Sequence, residues 1–142
     1  MRFMVIRKAD KDTEAGVLPG GPLLTAMLKY NEELVKAGVM LAGEGLQPTS
    51  KGARVKFSGG KPSVIDGPFT ETKELIAGFT MLQVRSKEEA IEWVKRWPAI
   101  DAGGEFELEI RQVFEAEDFG PEFTPELREK EQSLREQTGA KP

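Results

Sequence analysis

Residues 105–111 read EFELEIR, and this run constrains the fold more than any other stretch. Phe106, Leu108 and Ile110 alternate with Glu105, Glu107, Glu109 and Arg111. Alternate side chains of an extended strand point to opposite sides, so this is a strand with one apolar and one charged face. Such a strand belongs at the half-solvated side of an antiparallel sheet, not inside a two-sided parallel one. The rest of the chain must therefore supply further strands and something to cover one face.

It does so in a regular order. Arg2–Arg7 (RFMVIR) is a short apolar run flanked by charge, and it suits a central strand buried on both faces. Residues 9–22 mix charges with Gly16, Pro19, Gly20, Gly21 and Pro22, and read as a long loop. Leu23–Ala37 reads as a helix with Leu23, Leu24, Met27, Leu28, Leu34 and Val35 on one face and Gly38 as its stop. Val39–Ala42 begins a strand that runs into GEGLQPTSKG. Ala53–Phe57 and Ser63–Ile65 are short strands joined across Gly59-Gly60, a hairpin signal. Gly78–Arg85 is another strand. Ser86 and Glu89 form a capping box that starts a helix running through Trp97, with Ala90, Ile91 and Val94 inward and Pro98 beyond. Beyond Glu115 the composition changes. Thr124-Pro125 starts a helix anchored only by Leu127 and Leu134, and 138–142 reads as a frayed end.

The order β-α-β-hairpin-β-α-β predicts an α+β fold: a ferredoxin-like antiparallel sheet with two helices on one face, followed by a C-terminal helical tail. The domain is expected over 1–115, with an acidic, partly helical tail over 116–142. The sheet face without helices needs a cover if it is apolar, and a second copy is the usual solution, so a homodimer is expected.

Composition narrows the chemistry. The 142 residues include no cysteine and no histidine. Disulfides, thiolate nucleophiles and histidine-based triads are therefore outside its means. Proton transfer would have to use Asp, Glu, Lys, Tyr30 or a bound cofactor. No cofactor and no metal are expected, since nothing is spaced like a calcium loop. The net charge of −4 lies entirely in the tail: residues 1–114 carry 16 bases and 16 acids, whereas 115–142 carry 4 and 8. No basic stripe points to nucleic acid, and no long apolar run points to a membrane. The charged, very short apolar start is not a secretory signal, so a cytoplasmic location is expected.

One stretch invites a functional reading. VIDGPFTETKE, 64–74, places Asp66 at a strand end, before Gly67 and Pro68. Asp66 is either an acid–base residue facing a pocket or the first residue of an Asx turn, and the residues leave both open. Glu44, between Gly43 and Gly45, is either near a ligand or a solvated residue at a bulge. Glu71, Lys73 and Glu74 either tune a neighbouring carboxylate and hold an anion or form a solvated turn. Phe69, Phe79 and Trp93 could line a pocket or belong to the core, and Trp97 reads as a helix-end plug. Pro19-Gly20-Gly21 before a helix could hold an anion or simply flex.

The run DGPF at 66–69, ETKE at 71–74 and Gly78-Phe79 resembles the YCII-related proteins of the DGPF branch. GEGL at 43–46, EAIEWVKRWP at 89–98 and EIRQVFE at 109–115 are similar to further segments of that family, with Gln112 where its proline is expected. The resemblance covers residues 1–115. It implies a dimeric α/β-barrel, built from two sheets packed face to face, and a pocket between sheet and helices in each subunit. Such proteins often lie beside extracytoplasmic-function sigma factors, and their activity is generally not established. Relatives in the wider superfamily are proposed to use a His-Asp pair, of which only Asp66 has a counterpart here. Two functions follow as expectations. One is a small-molecule enzyme with Asp66 as its proton-transfer residue and Glu44, Glu71, Lys73 and Phe69 around the ligand. The other is a non-catalytic dimeric ligand-binding or regulatory module.

Overall fold

The computed structural model describes residues 1–139, and it divides into two units, Met1–Gln112 and the segment from Val113 onward. The first unit runs β1 (Arg2–Lys8), α1 (Lys11–Glu14), α2 (Gly21–Lys36), β2 (Met40–Gly45), β3 (Ala53–Ser58), β4 (Lys61–Asp66), β5 (Ile76–Gln83), α3 (Lys87–Val94) and β6 (Leu108–Gln112). Short 3-10 turns occupy Thr49–Lys51, Thr72–Glu74 and Asp101–Gly104. The architecture is α+β with an antiparallel sheet.

Four strands form one sheet in the order β2-β5-β1-β6. β1 sits between β5 and β6, with Val5 opposite Thr80 on one side and Ile110 on the other. Its burial alternates: Phe3, Val5 and Arg7 are buried, whereas Met4 and Ile6 are half-buried. β1 is therefore not buried on both faces, as its apolar run suggested. The residues packed against Phe3 and Val5 include Tyr30 and Leu34 of α2 and Ala90 of α3, so helices cover one side of the sheet. On the other side, Met4 faces Met81 and Ile6 faces Phe79. Glu109 of β6 lies opposite Ile6, and Glu44 of β2 lies opposite Phe79.

α2 starts two residues earlier than its apolar pattern suggested, with Gly20 as N-cap and a proline in the first turn, where a missing N–H costs nothing. Its inward stripe is narrower than the six residues expected. Tyr30 and Leu34 are buried and Leu23 and Met27 half-buried, but Leu24, Leu28 and Val35 are exposed. The spacing 23, 27, 30, 34 follows a single stripe of a 3.6-residue helix, and packing on a sheet uses only that stripe. α3 begins at the Ser86 N-cap, but only half of the expected capping box forms: Ser86 Oγ accepts from the Glu89 N–H at 3.1 Å, whereas Glu89 Oε2 accepts from the Arg85 N–H at 2.8 Å instead of the Ser86 N–H. It ends at Val94 rather than Trp97, because the chain tightens there: the Arg96 and Trp97 N–H groups donate to the Trp93 and Val94 carbonyls three residues back, at 3.1 and 3.0 Å.

The segment 9–22 is not wholly a loop. Asp10 caps α1, accepting from the Thr13 N–H at 2.8 Å, while Thr13 Oγ1 accepts from the Asp10 N–H at 2.8 Å. The hairpin stands apart from the main sheet as its own two-stranded pair, Ala53 opposite Asp66 and Val55 opposite Val64. Gly59 and Gly60 turn it with φ of +57° and +78°, a conformation that glycine adopts without strain. Both strands are exposed along their length.

The second unit holds a 3-10 turn at Ala116–Asp118 and α4 (Pro125–Gly139), capped by Thr124 Oγ1, which accepts from the Leu127 N–H at 3.3 Å. Phe119 stacks on Phe114 at 5.1 Å and tilts against Phe123 at 5.3 Å. Leu127 and Leu134 are about half exposed, and α4 buries no residue. Of the stretch read as frayed, Thr138 and Gly139 belong to α4, and 140–142 lie outside the described residues. No helix among the described residues is long and apolar enough to cross a membrane.

Candidate functional site

A pocket with a cavity volume of about 360 Å³ opens at the base of the hairpin. Its apolar surface comes from Leu46, Pro48, Phe69, Leu75 and Ile76, and its charges are Lys51, Arg54 and Glu74. The lining residues come from the connection after β2, the start of β3 and the segment leading into β5. Neither α2 nor α3 contributes, so this is not a sheet–helix pocket.

Backbone bonds fix the walls. The Leu46 N–H donates to the Ala77 carbonyl at 2.8 Å, and the Gly67 N–H donates to the Gly52 carbonyl at 3.0 Å. Gly67 is held so closely that a Cβ there would lie 1.7 Å from the Thr49 carbonyl oxygen, which only a residue without a side chain tolerates. The peptide between Gly67 and Pro68 is cis. Thr49 joins three segments. Its Oγ1 accepts from the Phe69 N–H at 3.0 Å and donates to Glu14 Oε2 at 2.6 Å, while its own N–H donates to Glu14 Oε1 at 3.2 Å. The single carboxylate of Glu14, at the end of α1, thereby holds the pocket loop at two points.

At the mouth, the Arg54 guanidinium lies 3.9 Å from the centre of the Phe69 ring, a cation–π stack. Arg54 Nη1 also lies 3.5 Å from Glu71 Oε2, with both side chains about half exposed. Such a pair is screened by water and orients the guanidinium without saturating its five donors. Lys51 has no ion-pair partner among the described residues.

The residues singled out from sequence thus separate. Phe69 and Glu71 meet through Arg54. Asp66 is exposed at the end of β4 opposite Ala53 and does not line the pocket. Its carboxylate has no hydrogen-bond partner among the described residues, and the nearby Gly67 and Phe69 N–H groups are taken by Gly52 and Thr49. Lys73 is exposed, and Glu44 is exposed on the sheet face turned away from α2 and α3. Phe79 lies on that same face. Trp93 packs against the core, with Arg96 4.5 Å from its ring centre. Trp97 tilts against Tyr30 at 5.7 Å.

A second cluster had no distinct sequence signal. Arg7 binds Asp101 through two hydrogen bonds of 2.9 Å, Nε to Oδ2 and Nη2 to Oδ1. Trp97 Nε1 donates to Asp101 Oδ2 at 3.0 Å, Arg7 Nη2 reaches Asp10 at 3.3 Å, and Arg7 Nη1 donates to the Lys8 carbonyl. Burial pushes the Asp101 carboxyl up, but the hydrogen bonds from Arg7 and Trp97 outweigh it and hold the group below its usual range. Burial likewise opposes, and the bonds from Thr13 and Arg7 outweigh it, at Asp10, which is also lowered. Hydrogen bonding to Asp101 raises Arg7. Tyr30, a possible proton carrier from composition, donates to the Trp93 carbonyl at 2.8 Å, and burial pushes its hydroxyl up to about 12. It is a neutral core hydroxyl. Among the described residues, no group of three or more carboxylates is placed to hold a metal ion.

The family model of the YCII-related domain matches residues 1–116. An uncharacterised protein of Rhizobium meliloti is 38% identical over 61 residues, which are 43% of this chain and 49% of that protein. The chain therefore matches about half the length of that curated relative. The solved structure of 5-chloro-2-hydroxyhydroquinone dehydrochlorinase from Burkholderia phenoliruptrix, in complex with 2,5-dihydroxybenzoquinone, is similar with a TM-score of 0.46 and 17% identity. That similarity covers 84% of this chain and 100% of the other.

Proposed function

The chain belongs to the YCII-related family, and from that premise we propose that it is a homodimeric small-molecule-binding protein whose ligand occupies the hairpin-base pocket. The observation that carries this reading is the convergence of the Arg54–Phe69 stack and Lys51 on an apolar-lined cavity. Four groups whose proton affinity the fold shifts, Arg7, Asp10, Asp101 and Tyr30, lie elsewhere. Phe69 is the aromatic wall, and Glu71 orients Arg54. Glu44 and Lys73 have no part in this pocket. The strand order β2-β5-β1-β6, with two helices covering one side, supports the ferredoxin-like reading. Met4, Ile6, Phe79 and Met81 on the other side support a face-to-face dimer. DGPF at 66–69, with its obligatory Gly67, supports the DGPF branch.

A fragment screen read by backbone amide shifts tests the binding role. Hits are expected to cluster at Leu46, Phe69 and Leu75, and a screen with no hits there overturns it.

Catalysis by Asp66 is the second reading, favoured by one observation: the carboxylate is exposed and unpartnered among the described residues rather than committed to capping a turn. Fragments that bind would be tested for turnover. Loss of turnover in Asp66→Asn with an unchanged melting temperature would favour this reading, and equal turnover would dismiss it.

A further inference from the structure

The pocket's charges specify more than its shape. Lys51 offers three N–H donors without an ion-pair partner among the described residues, and Arg54 retains guanidinium edges that its single contact with Glu71 leaves open. Both line the same pocket as Leu46, Leu75 and Ile76. The donors call for an oxygen anion, and a carboxylate suits the planar guanidinium fork better than a spherical ion does. Glu74, on the same lining, is the countervailing group: two positive charges and one negative leave the lining with a single net positive charge. A monoanion matches that balance, whereas a dianion meets repulsion from Glu74. The apolar surface beside Phe69 takes a hydrocarbon body.

Resting on the binding role argued above, we propose that the pocket selects small monocarboxylates with an aryl or branched apolar body. Lys51 and Arg54 hold the carboxylate, Leu46, Phe69 and Leu75 hold the body, and Glu74 rejects doubly charged anions. No bond is made or broken.

The test uses the full chain at neutral pH and three probes sharing one ring: phenylacetate, phenylacetamide and phenyl phosphate. Phenylacetate is expected to move the amide resonances of Lys51, Arg54 and Phe69 and to bind at least about fivefold more tightly than either other probe. Arg54→Met and Lys51→Met should each weaken phenylacetate by about fivefold or more, and phenylacetamide by a smaller factor. Arg54→Lys, which keeps the charge, should recover part of the loss, and melting temperatures confirm that each variant folds. Glu74→Gln should strengthen phenyl phosphate. Equal binding of the amide in the same pocket would overturn the carboxylate preference while leaving the binding role standing. Shifts confined to other surfaces, or no shift with any probe, would also overturn the preference, and the fragment screen separately decides the binding role.

Discussion

Arg7 and Asp101 are the residues whose pairing the chain can least tolerate losing. Their side chains are about one-tenth exposed and joined by two 2.9 Å bonds, so removing one partner leaves a desolvated charge. Asp101→Asn is therefore expected to destabilise by about 3–5 kcal/mol in denaturant unfolding. A double replacement by apolar residues, Arg7→Met with Asp101→Leu, should cost less than the worse single change. The pH dependence follows from the depressed Asp101 and Asp10 carboxyls. Their contribution is full above the unfolded-state value near ~4 and is lost as pH falls through the lower folded values. Acid unfolding of the Asp101→Asn variant should accordingly show a shallower loss of stability below about pH 4. In the sequence Arg7 is only the charged flank of an apolar strand, and Asp101 follows an unpatterned Ala-Ile. Their separation of 94 positions conceals the pair.

At the scale of elements, α1 is a four-residue helix with little stability of its own, since so short a helix fixes many dihedrals for few bonds. Its Asp10–Thr13 capping box offsets part of that, and its Glu14 ties it to the pocket loop. Thr49→Val would strip Glu14 of one donor and leave the half-buried Phe69 N–H without its acceptor. A loss of about 1–3 kcal/mol is expected, together with faster hydrogen exchange at the Phe69 amide. Thr49→Ser, which keeps the hydroxyl, should largely preserve both. Unchanged exchange in the Val variant would show that the hydroxyl does not hold this wall. Asp10 and Thr13 stand at capping-box spacing, but glycines and prolines rather than an apolar stripe follow them, so the segment reads as a loop. The Ser86 N-cap of α3 was legible because a clear apolar stripe follows it, whereas α1 buries nothing.

For the whole molecule, the sheet face turned away from α2 and α3 is the feature with the largest consequence. Phe79 is half-buried there, opposite Glu44 and Ile6, so placing a charge on it should spare the core on the other side. Under the face-to-face dimer proposed above, the parent should sediment as a dimer and Phe79→Glu as a folded monomer, with circular dichroism like the parent's. A variant that remains dimeric would move the subunit contact off this face.

The sequence by itself determined what neighbours along the chain can settle: the alternation that sets Leu108 and Ile110 of β6 against the core, although the strand begins at Leu108 and not at Glu105, the glycine pair that turns the hairpin, and the N-cap of α3. These depend on periodicity and backbone preference within a few residues. Tertiary structure decided which polar groups meet. It set Glu14 against Thr49 across 35 residues, Phe69 against Thr49 across 20, and Arg54 over Phe69. It also separated the hairpin from the main sheet and left Asp66 at the hairpin's end, outside the pocket lining. Hydrogen bonds and ion pairs require contact, and contact between distant residues is set by strand order and register, which local preference does not encode.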